Sequence, residues 1–175
     1  MKRLVLAMLL AVGLGYVIVG QPQSVTVMAQ EQKPEVGYQA PHFTLTGLNN
    51  QPYQVAGKRE KPLMLNFWAS WCGPCKMEAP DLQKVYEMYG KKVDLYGINV
   101  TSNDNPEAAM QFVQSYKLTF PIPMDVTGNV SNQYKIMAFP TTYLIDRDGI
   151  VRKKIIGMID AATLEKELQK LLADS

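Results

Sequence analysis

The spacing of hydrophobic residues changes along the chain, and each change marks an element. Leu4 to Gly20 contains no charged residue and follows the basic pair Lys2-Arg3. An apolar run behind basic residues reads as an export signal or a membrane anchor. At about 1.5 Å per residue it comes close to the thickness of a hydrocarbon core. The excess of positive charge on cytoplasmic flanks would keep Lys2 and Arg3 inside and everything after Gly20 outside. Val27-Met28-Ala29 ends on a small residue of the kind a signal peptidase reads. A retained single-pass anchor, an exported protein cleaved after Ala29 and a buried core helix are therefore the readings of this segment. No cysteine follows the run, which excludes a lipoprotein anchor. The expected organisation is a leader over 1–29, a polar tether over 30–35 and one domain over 36–175.

Within the domain, Ala40-Pro41-His42-Phe43-Thr44-Leu45 reads as an edge strand, because Pro41 removes a ladder donor. Asn49-Asn50-Gln51 is a turn. Leu63 to Trp68 is almost continuously apolar, as expected of a central strand covered on both faces. A helix is expected from Cys72 to about Tyr89, kinked at Pro80. Val93 to Val100 is the next strand, and Thr101 to Asn105 is a polar turn rich in capping residues. Pro106 suits a first helical position, with a helix over Glu107 to Tyr116. Leu118 to Asp125 predicts a connection with a short strand, and Val130 to Tyr134 a short helix. Thr141 to Asp146 and Val151 to Gly157 read as strands joined by an Asp148-Gly149 hairpin. Leu164, Leu168, Leu171 and Leu172 form the apolar stripe of a last helix over Thr163 to Leu172. Strands alternating with helices and closing on a hairpin predict an α/β layered domain with a central mixed sheet flanked by helices.

Composition narrows the function classes. Eighteen basic and 16 acidic residues leave a net charge of +2, which offers no electrostatic footprint for nucleic acid. Arg152-Lys153-Lys154 is a short cluster read as a solvated strand end. The domain is long enough to bury a core without staples, and nothing calls for more than a monomer.

Only two cysteines occur, in Trp71-Cys72-Gly73-Pro74-Cys75. A bridge between them would close too small a loop to add much chain-entropy stability, which favours chemistry over stapling. A helix N-terminus presents unpaired N–H groups and a partial positive charge, so a thiolate at Cys72 would be stabilised there. Gly73 permits close backbone approach, and Pro74 gives up no needed donor this early in a helix. Cys72 can then attack a disulfide, and Cys75 can attack Cys72 to release the other partner. Zinc would need about four ligands, and beside the two cysteines the chain has one distant histidine, His42. A covalent haem site needs histidine directly after the second cysteine; Lys76 stands there. No metal or cofactor is expected.

Asn66-Phe67-Trp68-Ala69-Ser70-Trp71-Cys72-Gly73-Pro74-Cys75-Lys76, with Pro80 beyond, resembles the active-site segment of the thioredoxin superfamily. Phe139-Pro140-Thr141 resembles its second signature. That likeness implies a thioredoxin-like fold with an N-terminal strand extension and a helical insert, a cis Pro140 facing the dithiol, and a client strand lying beside Phe139. Gly37-x-x-Ala40-Pro41-x-Phe43-x-Leu45 and the insert around Thr101 to Tyr116 are similar to the bacterial extracytoplasmic ResA/TlpA-like thiol–disulfide oxidoreductases. This branch implies reduction of disulfides in clients such as apocytochrome c, copper-site proteins or sporulation proteins. Its members commonly draw electrons from a CcdA-type membrane thiol–disulfide transporter.

Thioredoxin itself has aspartate at the position of Asn66, so that acid–base role is vacant here. ResA-like members have a glutamate three positions after the second cysteine, and Glu78 occupies that place on the helix face of Cys75. Two roles are open to it: tuning or deprotonating a cysteine, or simply stabilising the first helical turns through the dipole. Where ResA-like proteins often carry glutamate between the cysteines, this chain has Gly73. Trp71 is expected to line the binding surface beside the dithiol and Trp68 to be core. Met77, Met137 and Met158 suit a core or a soft binding surface. Against the reductase stand an oxidase or isomerase, a peroxiredoxin-like peroxidase and a binding-only module. The oxidising class usually has histidine between its cysteines. The peroxidatic pattern Pro-x-x-x-Thr-x-x-Cys is absent.

Overall fold

The computed structural model of the protein describes residues 31–173; the expected leader over 1–29 lies outside them. Among the described residues no helix is long and apolar enough to cross a membrane. Residues 31–35 lie against the domain. Gln32 bridges to Gln39, Pro34 is buried, and Glu35 pairs with Lys135 at 3.1 Å.

Four strands build the main sheet: β3 (Leu63–Trp68), β4 (Asp94–Asn99), β5 (Thr141–Ile145) and β6 (Val151–Ile156), in the order β4-β3-β5-β6. β3 runs parallel to β4 and antiparallel to β5, and β5 pairs antiparallel with β6. A separate hairpin joins β1 (Phe43–Thr46) to β2 (Pro52–Val55). The helices are α1 (Gly73–Tyr89), α2 (Pro106–Ser115), α3 (Asn129–Gln133) and α4 (Ala161–Ala173).

Every residue of β3 is buried, and its side chains feed two cores. Leu63, Leu65 and Phe67 point to the face covered by the hairpin and α3, where they meet Phe43, Val55, Val130 and Tyr134. Met64 and Trp68 point to the opposite face, packed with Leu82 and Val85 of α1, Phe112 of α2 and Leu164 and Leu168 of α4. Truncating either α4 leucine to alanine should cost about 2–5 kcal/mol.

Three parts of the chain depart from expectation. The first strand begins at Phe43 rather than Ala40. Before it the chain pairs with the far edge of the sheet: Ala40 N–H donates to Gly149 O at 2.8 Å and Val151 N–H to Tyr38 O at 2.9 Å. The segment after Leu118 forms no strand, only bridges from Pro123 to Gly47 and from Met124 to Asn99. Pro121 and Pro123 have no N–H for a full ladder, yet their carbonyls accept the Gly97 and Asn99 N–H groups at 2.9 and 3.0 Å and so cover the edge of β4. A side chain at Gly97 would press on the Phe120 ring, its Cβ coming within 2.6 Å. The basic cluster lies within β6 and is partnered: Arg152 with Asp146, Lys153 with Glu167, and Lys154 over the Tyr143 ring. The helix expected from Cys72 to about Tyr89 is present as α1, with Pro80 inside it.

Candidate active site

β3 ends at Trp68, and Ala69-Ser70-Trp71 turns the chain into α1. Cys72 is the N-cap of that helix, in extended conformation, and its sulphur accepts the Cys75 N–H at 3.1 Å. Pro74 sits in the first turn, where no donor is missed. Cys72 and Cys75 form a disulfide. Both are buried in this state, with Gly73 and Pro74 exposed between them. The same N–H that caps the helix would stabilise a Cys72 thiolate after reduction, together with the partial positive charge of the helix end.

Trp71 stands over this corner, 57 % exposed. Its ring meets Phe139 edge-on, with centroids 5.7 Å apart, and its Nε1 donates to Asn103 O at 2.7 Å. The Phe139–Pro140 peptide is cis, and Pro140 O accepts the Gly157 N–H at 2.8 Å. Trp71, the cysteines and the Phe139 loop are thus brought together. Met77, Met137 and Met158 are all exposed and none fills the core, while Trp68 is core and stacks on Phe112. His42 lies apart, bonded to the Gly57 N–H at 3.0 Å.

Glu78 follows Cys75 by one turn on the buried stripe of α1, shared with Ala79, Leu82 and Val85. It is 1 % exposed. Oε1 accepts the Ile159 N–H and Oε2 the Asn66 amide, both at 3.0 Å. Burial raises its pKa to about 7, against the pull of the Ile159 and Asn66 hydrogen bonds; Asp81 nearby adds to the rise. Asn66 itself donates also to Thr142 Oγ1 at 3.0 Å and lines a small cavity with Cys75 and Trp68. A carboxyl poised near neutrality beside a dithiol is able to take or give a proton at physiological pH.

Sequence reasoning did not single out Asp104. Its carboxylate accepts from Ser70, Asn99 and Asn105. Partial burial pushes its pKa up, but these hydrogen bonds outweigh that and hold it below the ordinary aspartate value. The signal available was the polar run Thr101 to Asn105. One of its capping residues, Asn105, does cap α2 by accepting the Ala108 N–H at 2.9 Å.

Comparison with known proteins agrees with this arrangement. The AhpC/TSA family profile matches residues 36–154. The chain is 33% identical over 173 residues to the thiol-disulfide oxidoreductase ResA of Geobacillus kaustophilus, covering 98% of this chain and 94% of that one. It is 33% identical over 144 residues to the thioredoxin-like protein YneN of Bacillus subtilis, covering 82% and 84%. The crystal structure of StoA from Bacillus subtilis superposes with a TM-score of 0.65 at 30% identity, over 72% of this chain and 95% of that one. With its Cys72–Cys75 disulfide at the head of α1 and the mixed sheet behind it, the chain belongs to the AhpC/TSA family and, within the thioredoxin superfamily, to the ResA-like thiol–disulfide oxidoreductases.

Proposed function

We propose that the protein reduces disulfides in client proteins outside the cytoplasm. The observation that carries this reading is the dithiol pair at the helix head with a buried, near-neutral carboxyl one turn below it. In the reduced protein the Cys72 thiolate attacks a client disulfide. One client sulphur joins Cys72 and the other leaves as thiolate and takes up a proton. Cys75 then loses its proton to Glu78 and attacks Cys72. The client's second sulphur leaves Cys72 as a thiolate and takes up a proton, so the client departs with two thiols, and both electrons have come from the Cys72–Cys75 pair, which ends as the disulfide seen here. Gly73 and Pro74 between the cysteines resemble the reducing thioredoxins. Trp71 and Phe139 form the wall against which the client lies, and cis Pro140 shapes the loop beside it.

The likeness to ResA supports clients of the apocytochrome c, copper-site or sporulation classes, and a CcdA-type membrane transporter as the electron donor. The apolar run after Lys2-Arg3 supports a single-pass anchor with the domain on the outer side. The test is the reduction potential of the Cys72–Cys75 couple. A value near or below roughly −240 mV is expected of a reductase, and one above roughly −180 mV would assign the protein to the oxidants and isomerases. A Cys75→Ser variant should hold clients as stable mixed disulfides on Cys72, which identifies them.

A further inference from the structure

Asp104 lies in the turn between β4 and α2, and its oxygens accept from three segments of chain. Oδ2 takes the Ser70 backbone N–H at 2.6 Å and Asn99 Nδ2 at 2.7 Å. Oδ1 takes the Ser70 hydroxyl at 2.6 Å and the Asn105 N–H at 2.8 Å. Only an ionised carboxylate presents acceptors at both atoms and no donor. In Asp104→Asn one oxygen becomes NH2. Whichever way the amide turns, that NH2 faces a backbone N–H, of Ser70 or of Asn105, and a backbone N–H cannot be reversed. The position therefore demands a carboxylate.

What these bonds hold is the loop that leads into the dithiol. Ser70 is gripped at both its backbone and its hydroxyl. The next residue, Trp71, is gripped by the same turn through Asn103 O, and Cys72 N–H bonds back to Ala69 O at 3.1 Å. We propose that Asp104 is the positioning residue for the client-binding wall: it fixes Ser70, and through it the pose of Trp71 beside Cys72. The turn before α2 thereby sets how a client segment meets the dithiol. A protein client has to lie against Trp71 and Phe139 to bring its sulphur to Cys72, which is only 4 % exposed. A small alkylating reagent needs no such wall.

The two kinds of reagent make the test. In the reduced full chain, mixed-disulfide formation with insulin and alkylation of Cys72 by iodoacetamide are measured across pH for wild type, Asp104→Asn and Ser70→Ala. Misplacing a docking surface should slow the insulin reaction about tenfold in Asp104→Asn while alkylation per Cys72 thiolate stays within about twofold. Ser70→Ala removes one of the bonds and should shift the same ratio in the same direction by less. A ratio equal to wild type in both variants overturns the proposal, even if their thermal stability falls, because the residue would then serve the fold alone. If Asp104→Asn does not fold, the Ser70→Ala ratio decides. The Cys72–client mixed disulfide is the intermediate in both directions, and the step measured here is the last step of oxidation run in reverse, so a high reduction potential would sink the reductase reading and leave this test intact.

Discussion

Glu78 is enclosed beneath the dithiol and Asp104 is half-buried in the turn that holds Ser70, and the protein solvates them differently. Glu78, on the floor, has two donors, Ile159 N–H and Asn66 Nδ2, and burial wins: the carboxyl is raised to about 7. Asp104, on the wall, has the two donors of Ser70 with Asn99 and Asn105, and the hydrogen bonds win: the carboxyl is lowered. Water exclusion raises a carboxylate's pKa, and each donated hydrogen bond lowers it. Burial dominates at the fully enclosed Glu78 and hydrogen bonding at the half-buried Asp104, and that balance sets the direction of each shift.

The contrast breaks most visibly at Glu78. Glu78→Gln should slow client release from the mixed disulfide by about a hundredfold near neutral pH, the range of a lost general base, as followed by stopped-flow. The same variant tests the energetics. Glu78 takes up its proton more readily folded than unfolded, so between about pH 4.5 and 7 the folded state holds more protons. Stability must then fall as pH rises through that window, by about 3 kcal/mol for a shift of this size. Denaturant titrations should show the slope in wild type and lose it in Glu78→Gln.

Asp104 should behave with the opposite sign. Its depressed pKa contributes stability that is present above the ordinary aspartate value and lost as pH falls through the folded one. Asp104→Asn should cost about 2 kcal/mol at neutral pH, as hydrogen bonds to a charged group are lost, and should flatten the acid limb of the stability curve.

Smaller changes sharpen the rule. Asn66→Ala takes one donor from Glu78, so the pH midpoint of client release should move upward, with about 1 kcal/mol lost in stability. Trp71→Phe keeps an aromatic ring for Phe139 but loses the bond to Asn103 O. On this partly exposed side chain the loss should be about 0.5 kcal/mol, detectable as a slightly lower thermal midpoint.

The elements whose burial follows a simple period were legible in the sequence. Leu63–Trp68 is covered on both faces and reads as an apolar run, and the α4 leucines repeat at helical spacing. β2 escaped notice because Pro52, Tyr53 and Gln54 face outward in part and only Val55 is buried. The short strand expected within Leu118 to Asp125 reduces to bridges at Pro123 and Met124, because the apolar content is real while the pairing is limited by two prolines. At the site, the cysteines and their motif were evident. Glu78 was found through the resemblance, but one of its two hydrogen-bond donors is the Ile159 N–H, eighty-one positions away, and no local pattern encodes that contact. Asp104 was hidden for the same reason: its main partner, Ser70, lies 34 residues earlier, and in the string it is one polar residue in a turn.

Gly73 has an evolutionary consequence. It is exposed, its backbone needs no left-handed conformation, and a Cβ built on it meets nothing within 4 Å. A larger or charged side chain could therefore be installed between the cysteines without disturbing the packing beneath them. A group placed there would act directly on the stability of the thiolate. The driving force of the reaction is thus adjustable at a single codon that the architecture leaves free, and a lineage could retune its electron transfer without rebuilding the fold.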